Sequence, residues 1–299
     1  MMNPTVKYHI LIFILVALLP AGCIDSQLEI CPPLMNTTLY FSLKDKDNND
    51  VFSATVDHVD LFVYDAMGRK ITPLGEEGIR GGKRLRLEPG TYSVVAWANA
   101  TPLHTRIVTQ ESAHWLNSSE NYLLTANGTV EDGDPLYYAP LEKGKSLTLT
   151  VPLQGEVEAT VPFTHAHVQI EVTVEGIEAD LLKMELTEIT SRYSFGLEAH
   201  GNRVSYIRNV HPTGSDKKRF NTSFHVPLFD AATPTQLLVN QDDGGLIVPS
   251  ISIRELLGNK IDIEKLTHLP IRITFDDQLR VAIYVDLPEW GEDMVKPNI

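Results

Sequence analysis

Cys23 is the residue whose type and surroundings most clearly predict chemistry. Lys7 precedes an unbroken apolar run from Ile10 to Leu19, and Pro20-Ala-Gly22 leads directly into the cysteine. A short apolar stretch that ends in small residues before a cysteine is typical of a lipoprotein signal peptide. Cleavage there leaves a thiol that carries acyl chains, and each buried methylene adds about 0.8 kcal/mol of membrane affinity. We therefore predict Cys23 as a lipidation site.

The apolar run fits poorly to the alternative, a membrane-spanning helix. It covers about ten residues, whereas a helix that crosses a bilayer needs roughly twenty. One residue departs from the usual pattern, because Pro20 stands where a leucine is common before lipidated cysteines. We expect residues 1–22 to be the signal peptide and residues 23–36, which contain two prolines, to form a lipidated tether.

Cys31 is the only other cysteine of the chain. Once Cys23 is lipidated, Cys31 has no partner for an intrachain disulfide. Three states remain open for it: a free thiol, a small buried hydrophobe, or half of an intermolecular bridge. No disulfide framework is expected, although export would allow one.

The charge balance restricts the partners that the protein can bind. The formal net charge is −14 at pH 7, so nucleic-acid phosphates and anionic lipid head groups repel the surface. Lys217-Lys218-Arg219 is too short a basic run to offset that charge. We expect no nucleic-acid partner, and membrane attachment through covalent lipid instead of a basic patch.

Two histidines are the best candidates for a metal site. His165 and His167 alternate along a predicted strand, so they should share one face. That face also carries Gln169 and Glu171, and no third ligand follows at the spacing of a metal site. A solvated polar strand face is the expected structure, and no metal is predicted.

The acidic segment 45–50 has part of the spacing of a calcium loop. Its sixth position is Asp50 where such a loop needs glycine, and its twelfth is Val56 where it needs glutamate. A solvated turn is therefore expected. The pairs Asp242-Asp243 and Asp276-Asp277 are likewise predicted to lie in turns.

No motif predicts an enzyme. The chain has neither a Gly-x-Ser-x-Gly elbow nor a His-Glu-x-x-His pair, and we expect no catalytic residue, cofactor or small-molecule substrate. Trp97, Trp115 and Trp290 could stack on sugar rings, but tryptophans more often fill the cores of sandwiches or interfaces.

Short alternating strands must position these residues. Apolar residues alternate with polar ones through most of the chain, while residues 100–145 are less regular and hold one possible short helix. The alternation predicts strands at Thr37–Leu43, His58–Asp65, Lys83–Leu87, Thr91–Asn99, Ser146–Leu153, Val157–Phe163, His165–Val174, Ser191–Leu197, Arg203–Ile207, Phe220–Phe229, Gln236–Val239, Leu246–Pro249, Ile271–Phe275 and Leu279–Leu287. Many short strands without long amphipathic helices favour β-sandwiches over a parallel sheet. A domain boundary is expected near Gly155.

Three segments carry a resemblance to a known family. They are the Cys-Pro pair at Cys31, the strand and turn Val-Tyr-Asp-Ala-Met-Gly at 63–68, and Pro-Gly-Thr-Tyr-Ser-Val-Val-Ala-Trp-Ala-Asn at 89–99. With the cysteine at 23, they resemble the FimB/Mfa-type fimbrial anchor subunits of Bacteroidales. Family members often carry a second cysteine where this chain has His58, so the bridge that they can form is impossible here.

The resemblance implies an all-β fold of two tandem transthyretin-like, Greek-key-type β-sandwich domains after a lipoprotein signal peptide. We expect the first domain at 37–155 and the second at 156–299. It also implies an outer-membrane lipoprotein, exposed on the cell surface as part of a fimbrium, that holds the base of the fimbria, binds the major stalk subunit and limits polymerisation.

Two further observations favour a subunit that ends the fibre. Stalk subunits of this class mature by a cut at an early arginine, and this chain has none before Arg69. The tail after Trp290 carries no alternating pattern for strand donation. A surface glycan-binding lipoprotein and a tip or accessory adhesin are the alternatives.

Overall fold

The structure, a computed structural model, describes residues 35–77, 81–110, 120–125, 129–140, 145–229, 233–241, 244–258, 266–287 and 291–295, with the backbone alone at 76–77, 287 and 291–295. The predicted signal peptide, Cys23, Cys31, Trp115, Trp290 and Asp242-Asp243 lie outside the described residues, as does the tether up to residue 34.

The described chain is almost entirely β-structure, which confirms the predicted fold class. Two short helices, Phe52–Thr55 and Ile253–Leu257, are the exceptions. The strands are β1 (Thr37–Leu43), β2 (Val59–Tyr64), β3 (Lys70–Ile71), β4 (Leu74–Glu77), β5 (Lys83–Arg86), β6 (Gly90–Ala98), β7 (Arg106–Val108), β8 (Tyr122–Leu124), β9 (Thr129–Val130), β10 (Tyr137–Ala139), β11 (Leu147–Val151), β12 (Val157–His165), β13 (His167–Glu175), β14 (Leu182–Ser194), β15 (Ala199–Val210), β16 (Arg219–Pro227), β17 (Gln236–Gln241), β18 (Ile251–Ser252), β19 (His268–Phe275), β20 (Val281–Leu287) and β21 (Gly291–Val295). Within the described ranges, neither helix is long and apolar enough to cross a membrane.

The first half of the molecule is a sandwich of two layers. Both layers contain β12, which pairs with β1 on one side and with β10 on the other. The strand order is β3-β2-β6-β10-β12-β1-β5-β4, and β11 also pairs with β6. Residues of β1 and β5, such as Leu39 and Leu85, form one buried cluster with Val94 and Ala96 of β6. The layers therefore close face to face over a single apolar core, as alternation in these strands predicts.

The second half is a sandwich of two separate sheets. One has the order β16-β13-β19-β20-β21, and the other has β18-β17-β14-β15-β9 with β8 and β7 added beside β14. Alternation along the predicted strand His165–Val174 puts Val168, Ile170, Val172 and Val174 on one face, and all four are buried between the sheets.

The pairing crosses the predicted domain boundary in both directions. β12 lies after residue 155 but pairs with β1 over seven positions. Conversely, β7, β8 and β9 precede the boundary and join the sheet of β14 and β15. The division at residues 37–155 and 156–299 stays a prediction, and the two halves exchange strands around it.

Several predicted strand bounds were wrong. β14 begins at Leu182, nine residues before the predicted start, because a register shift around Glu188, which has positive φ, breaks the alternation. Residues 246–249 form no strand and make only an isolated bridge from Leu246 to Asn240. Leu279 is a turn residue with φ of 58°, and β20 begins two residues later.

Candidate functional site: the two ends of the molecule and the junction between them

Asn36 fixes the point where the chain enters the fold. Its main-chain N–H donates to the carbonyl of Leu85 over 3.1 Å, and its carbonyl accepts from the N–H of Val157 over 2.9 Å. Its side chain donates from Nδ2 to the carbonyl of Leu87 over 2.7 Å and accepts from the N–H of Leu87 over 3.0 Å. Asn36 is 6% exposed and belongs to the sheet, although the sequence placed it at the end of the tether.

β1 continues from Asn36 into the centre of the first sandwich. It pairs in parallel with β12 from Thr37 opposite Val157 to Leu43 opposite Phe163. On its other side it pairs antiparallel with β5 at Thr37, Thr38 and Leu39 only. Its inward side chains are buried, so β1 contributes to the core of the first half as well as to its sheet. We call the end of the molecule at Asn36 and Thr37 the tether end.

The opposite end is formed by the loops at the far side of the second half. β13 starts at the junction with His167 and ends at Glu175, which lies opposite Arg219 of β16 and Thr274 of β19. The loops 176–181, 211–218 and 276–280 therefore gather at one end, which we call the distal end. β12 runs from the tether end to the junction, β13 runs from the junction to the distal end, and the two strands do not pair with each other.

The distal end presents both charge and apolar surface. Lys217 pairs with Asp180, and Arg280 pairs with Asp276 at 2.6 Å. Asp276 also accepts from the N–H groups of Gln278 and Arg280, which confirms the predicted turn and holds the pKa of this carboxyl below its ordinary value. Leu279, at the tip of this turn, is 66% exposed.

An aromatic interface joins the two halves. Trp97 of β6 is fully buried, and its ring centre lies 4.9 Å from that of Tyr138 and 5.7 Å from that of Tyr193. Phe62 of β2 packs at 4.8 Å against Phe195, which follows β14. Close-packed rings of this kind bury large apolar areas, so the halves are held as one body at the junction.

Two tyrosine hydroxyls fasten this interface. Tyr138 donates to the carbonyl of Phe195 over 2.9 Å, and Tyr193 contacts the carbonyls of Ala166 and Leu228 at 2.9 and 2.7 Å. Burial raises the pKa of Tyr138, so its hydroxyl stays protonated. The bond of Tyr138 links the first half to the second, whereas those of Tyr193 join β14 to Ala166 at the junction and to Leu228 after β16.

A cluster of histidines occupies the edge of the junction. The ring centre of His167 lies 5.4 Å from those of His165 and Tyr137 and 5.6 Å from that of His225. Nδ1 of His167 lies 2.8 Å from the carbonyl of Leu136. Burial lowers the pKa of His167 to about 4 and also lowers the pKa of His165, so both rings are neutral near pH 7.

The predicted solvated face for His165 and His167 was wrong. His167 is 5% exposed. His165 ends β12 and His167 begins β13, so a change of sheet at Ala166 separates them and the rule of alternate faces fails. In the described part of the chain, no three His, Cys, Asp or Glu side chains are placed to hold a metal ion.

Asp132 connects the histidine cluster to the second half. Its carboxylate accepts from the N–H of His225 over 2.7 Å and pairs with Arg208 of β15. Burial opposes its ionisation, but the hydrogen bonds from His225 and the charge of Arg208 keep its pKa below the ordinary value. Residues 131–136 thereby bind the two halves together by charge as well as by packing.

The remaining predicted residues have ordinary structural roles where they are described. Trp97 is a core residue and presents no face to a sugar. Asp45 accepts from the N–H groups of Asp47 and Asn49, which confirms the predicted turn. Nε2 of His58 lies 2.6 Å from the carbonyl of Ala100. Sequence reasoning missed Asn36 and the junction, since both depend on contacts between distant segments.

The fold and these contacts describe a β-sandwich protein of two halves that pack together at an aromatic junction. The family described as "Fimbrillin-A associated anchor proteins Mfa1 and Mfa2" matches residues 28–296. The chain therefore belongs to this family of fimbria-associated proteins. A comparison with curated protein sequences gives no significant match.

Solved structures show the same fold at low sequence identity. A protein of Bacteroides thetaiotaomicron, suggested to bind polysaccharide, has a TM-score of 0.64 at 15% identity and covers 87% of this chain and 98% of its own. A suggested adhesin of the same species has a TM-score of 0.65 at 16% identity, with coverages of 84% and 95%. The fimbrial anchor protein Mfa2 of Porphyromonas gingivalis has a TM-score of 0.59 at 12% identity, with coverages of 84% and 96%.

Proposed function

We propose that the chain is a fimbrial anchor subunit. Acyl chains on Cys23 hold it in the outer membrane, and it binds the major stalk subunit at the base of the fimbria and limits fibre growth. Membership of the anchor family supports this assignment. The chain acts by binding, and neither the family nor the related structures belong to an enzyme class.

The observation that carries the proposal is the separation of the two ends. Asn36 locks the chain into the sandwich directly after the tether, so the tether end faces the membrane. The distal end then points away from the membrane, where a stalk subunit can reach it. The aromatic junction packs the two halves against each other between these ends.

The partner contact is assigned to the distal end. Leu279 is 66% exposed there, and burying an exposed apolar side chain in a contact is favourable. Leu246, opposite Asn240 at the end of β17, is 56% exposed. The ion pairs at Asp180 and Asp276 lie at the distal end and would form a polar rim. A stalk subunit bound at this end would be held at the base of the fibre.

Deletion of the gene is expected to leave fimbriae detached from cells or abnormally long. Replacement of Cys23 by Ser should release the protein from the membrane fraction and detach the fimbriae. Firm membrane attachment of the Cys23→Ser protein would contradict the lipid anchor.

The contact surface has its own test. Leu279→Asp should reduce recovery of the major fimbrial subunit in a pull-down by about tenfold, the loss expected when an interface anchor becomes charged. Asp tolerates the positive φ of this position. Leu153→Asp is the matched control, since Leu153 is 81% exposed but lies in the loop beside Val157, at the tether end. Equal recovery with both variants would contradict the assignment.

A further inference from the structure

The direction of the strands in the first half determines how tension would pass through the molecule. The tether joins β1 at its amino-terminal end, at Asn36 and Thr37. β12 runs parallel to β1 and leads at its carboxyl end, His165, into the second half. A pull between the tether and the second half therefore acts on opposite ends of two parallel neighbours.

This geometry loads the ladder in shear. The hydrogen bonds of a parallel pair are evenly spaced along the strands. When the strands are pulled from opposite ends, all of these bonds and the side chains packed beneath them resist together. When they are pulled from the same end, the bonds break one after another. Forced unfolding depends on the unfolding rate, so the first geometry should withstand far more tension.

The buried side chains of this ladder oppose sliding of β1 along β12. Leu39 and Leu43 of β1, and Val161 and Phe163 of β12, are buried in one core. A slip of one residue would turn each apolar side chain to the wrong face of the sheet. Movement along the strand axis is thus opposed by the core as well as by the backbone.

Asn36 closes the end of the ladder where the tether pulls. Its main-chain groups bond to β5 and β12, and its side chain bonds twice to Leu87. A tether under tension must break these four bonds before the first residue of β1 can move.

We propose that Asn36 and the β1–β12 ladder form a shear clamp, a site whose function is to carry tension between the lipidated tether and the rest of the molecule. This inference rests on the proposed anchor function, because only a protein held at one end and pulled at the other experiences such a load. Attachment of the fibre to the membrane would then depend on the mechanical strength of the fold as well as on the lipid.

Single-molecule pulling in two directions tests the clamp. The chain from residue 23, with Cys31→Ser, is held by Cys23 and pulled either at Ser215→Cys in the distal loop or at Gln154→Cys beside Val157. Both new cysteines replace exposed residues. The released length identifies the event that opens the first half. Its force should be about threefold higher from residue 215, which loads the ladder in shear, than from residue 154, which unzips it. Equal forces would overturn the proposal.

A pair of asparagines provides the matched variants. Asn99 is buried like Asn36, and its side chain accepts from the N–H of Asp57 and donates to the carbonyl of Thr55, away from the ladder. Asn36→Ala and Asn99→Gly should each lower the folding equilibrium constant about tenfold, with glycine chosen because Asn99 has a φ of 61°. Only Asn36→Ala should lower the shear force.

The outcomes separate the clamp from the anchor function. A shear force that is unchanged by Asn36→Ala, or lowered equally by Asn99→Gly, overturns the clamp even if deletion detaches the fimbriae. A high, direction-dependent force in a protein whose deletion leaves fimbriae attached supports the clamp and contradicts the anchor. The comparison of pulling directions needs neither asparagine variant, so it stands if one of them fails to fold.

Discussion

The two longest parallel ladders among the described residues are of equal length but have different flanking strands. β1 and β12 pair over seven positions in the first half, and β13 and β19 pair over seven in the second. β13 is flanked on its other side by β16 along all of its nine residues, whereas β1 has β5 beside only three. The first ladder is therefore the less supported one, and it is the one next to the tether.

The ends of the two ladders also differ. Asn36 closes the first with buried hydrogen bonds to β5 and β12. At the distal end of the second, an ion pair between Glu175 and Arg219, with an N–O distance of 3.4 Å at the surface, joins β13 to β16. Buried bonds cannot be replaced by water when strands begin to separate, but surface pairs can. We infer that the stability of the first ladder depends mainly on the hydrogen bonds at its end, and that of the second on the strand that flanks it.

The largest expected loss of stability comes from truncating a core side chain in each ladder. Leu39→Ala in β1 and Ile271→Ala in β19 remove side chains that are at most 1% exposed, so each should cost about 2–5 kcal/mol of unfolding free energy. Denaturant titration measures both losses. Only Leu39→Ala should also lower the shear force, and an equal drop for Ile271→Ala would remove the distinction between the ladders.

A smaller effect should appear on acidification at the start of β13. The pKa of folded His167 is about 4, against 6.5 for the free side chain. The unfolded chain therefore binds the proton first, and stability falls as the pH drops from about 6.5 towards 4. At pH 5 the loss should be about 2 kcal/mol relative to pH 7.

His167→Gln is the control for this pH effect, since glutamine can still donate to Leu136 but does not titrate. Thermal or urea denaturation at pH 7 and pH 5 should show a smaller loss in the variant. A loss of the same size in both proteins would assign the pH dependence to other groups, with His165, His225 and Asp132 the nearest to His167.

The smallest effect is expected at the distal end of the second ladder. Arg219→Ala breaks the surface pair with Glu175 and should change the unfolding free energy by less than about 0.5 kcal/mol. Urea titration in low and high salt measures it. A loss as large as that of Asn36→Ala would show that the two ladder ends are equivalent after all.

The sequence predicted the parts of the fold that depend on local alternation. The face of β13, the strand around Trp97 and the turns at Asp45 and Asp276 all follow from the order of apolar, polar and turn residues. It failed where alternation is interrupted, as around Glu188, or where strands are too short to show a period, as in β7, β8 and β9. The candidate site was predicted only as far as Cys23, which lies outside the described residues.

By itself the sequence determined the class of the protein. An apolar run before Cys23, an acidic composition and short alternating segments are local properties of the sequence. Only the tertiary structure decided which strands neighbour each other. The parallel pairing of β1 with β12, the burial of His167 and the four bonds of Asn36 all join residues far apart in the chain, and such contacts depend on how the sheets close.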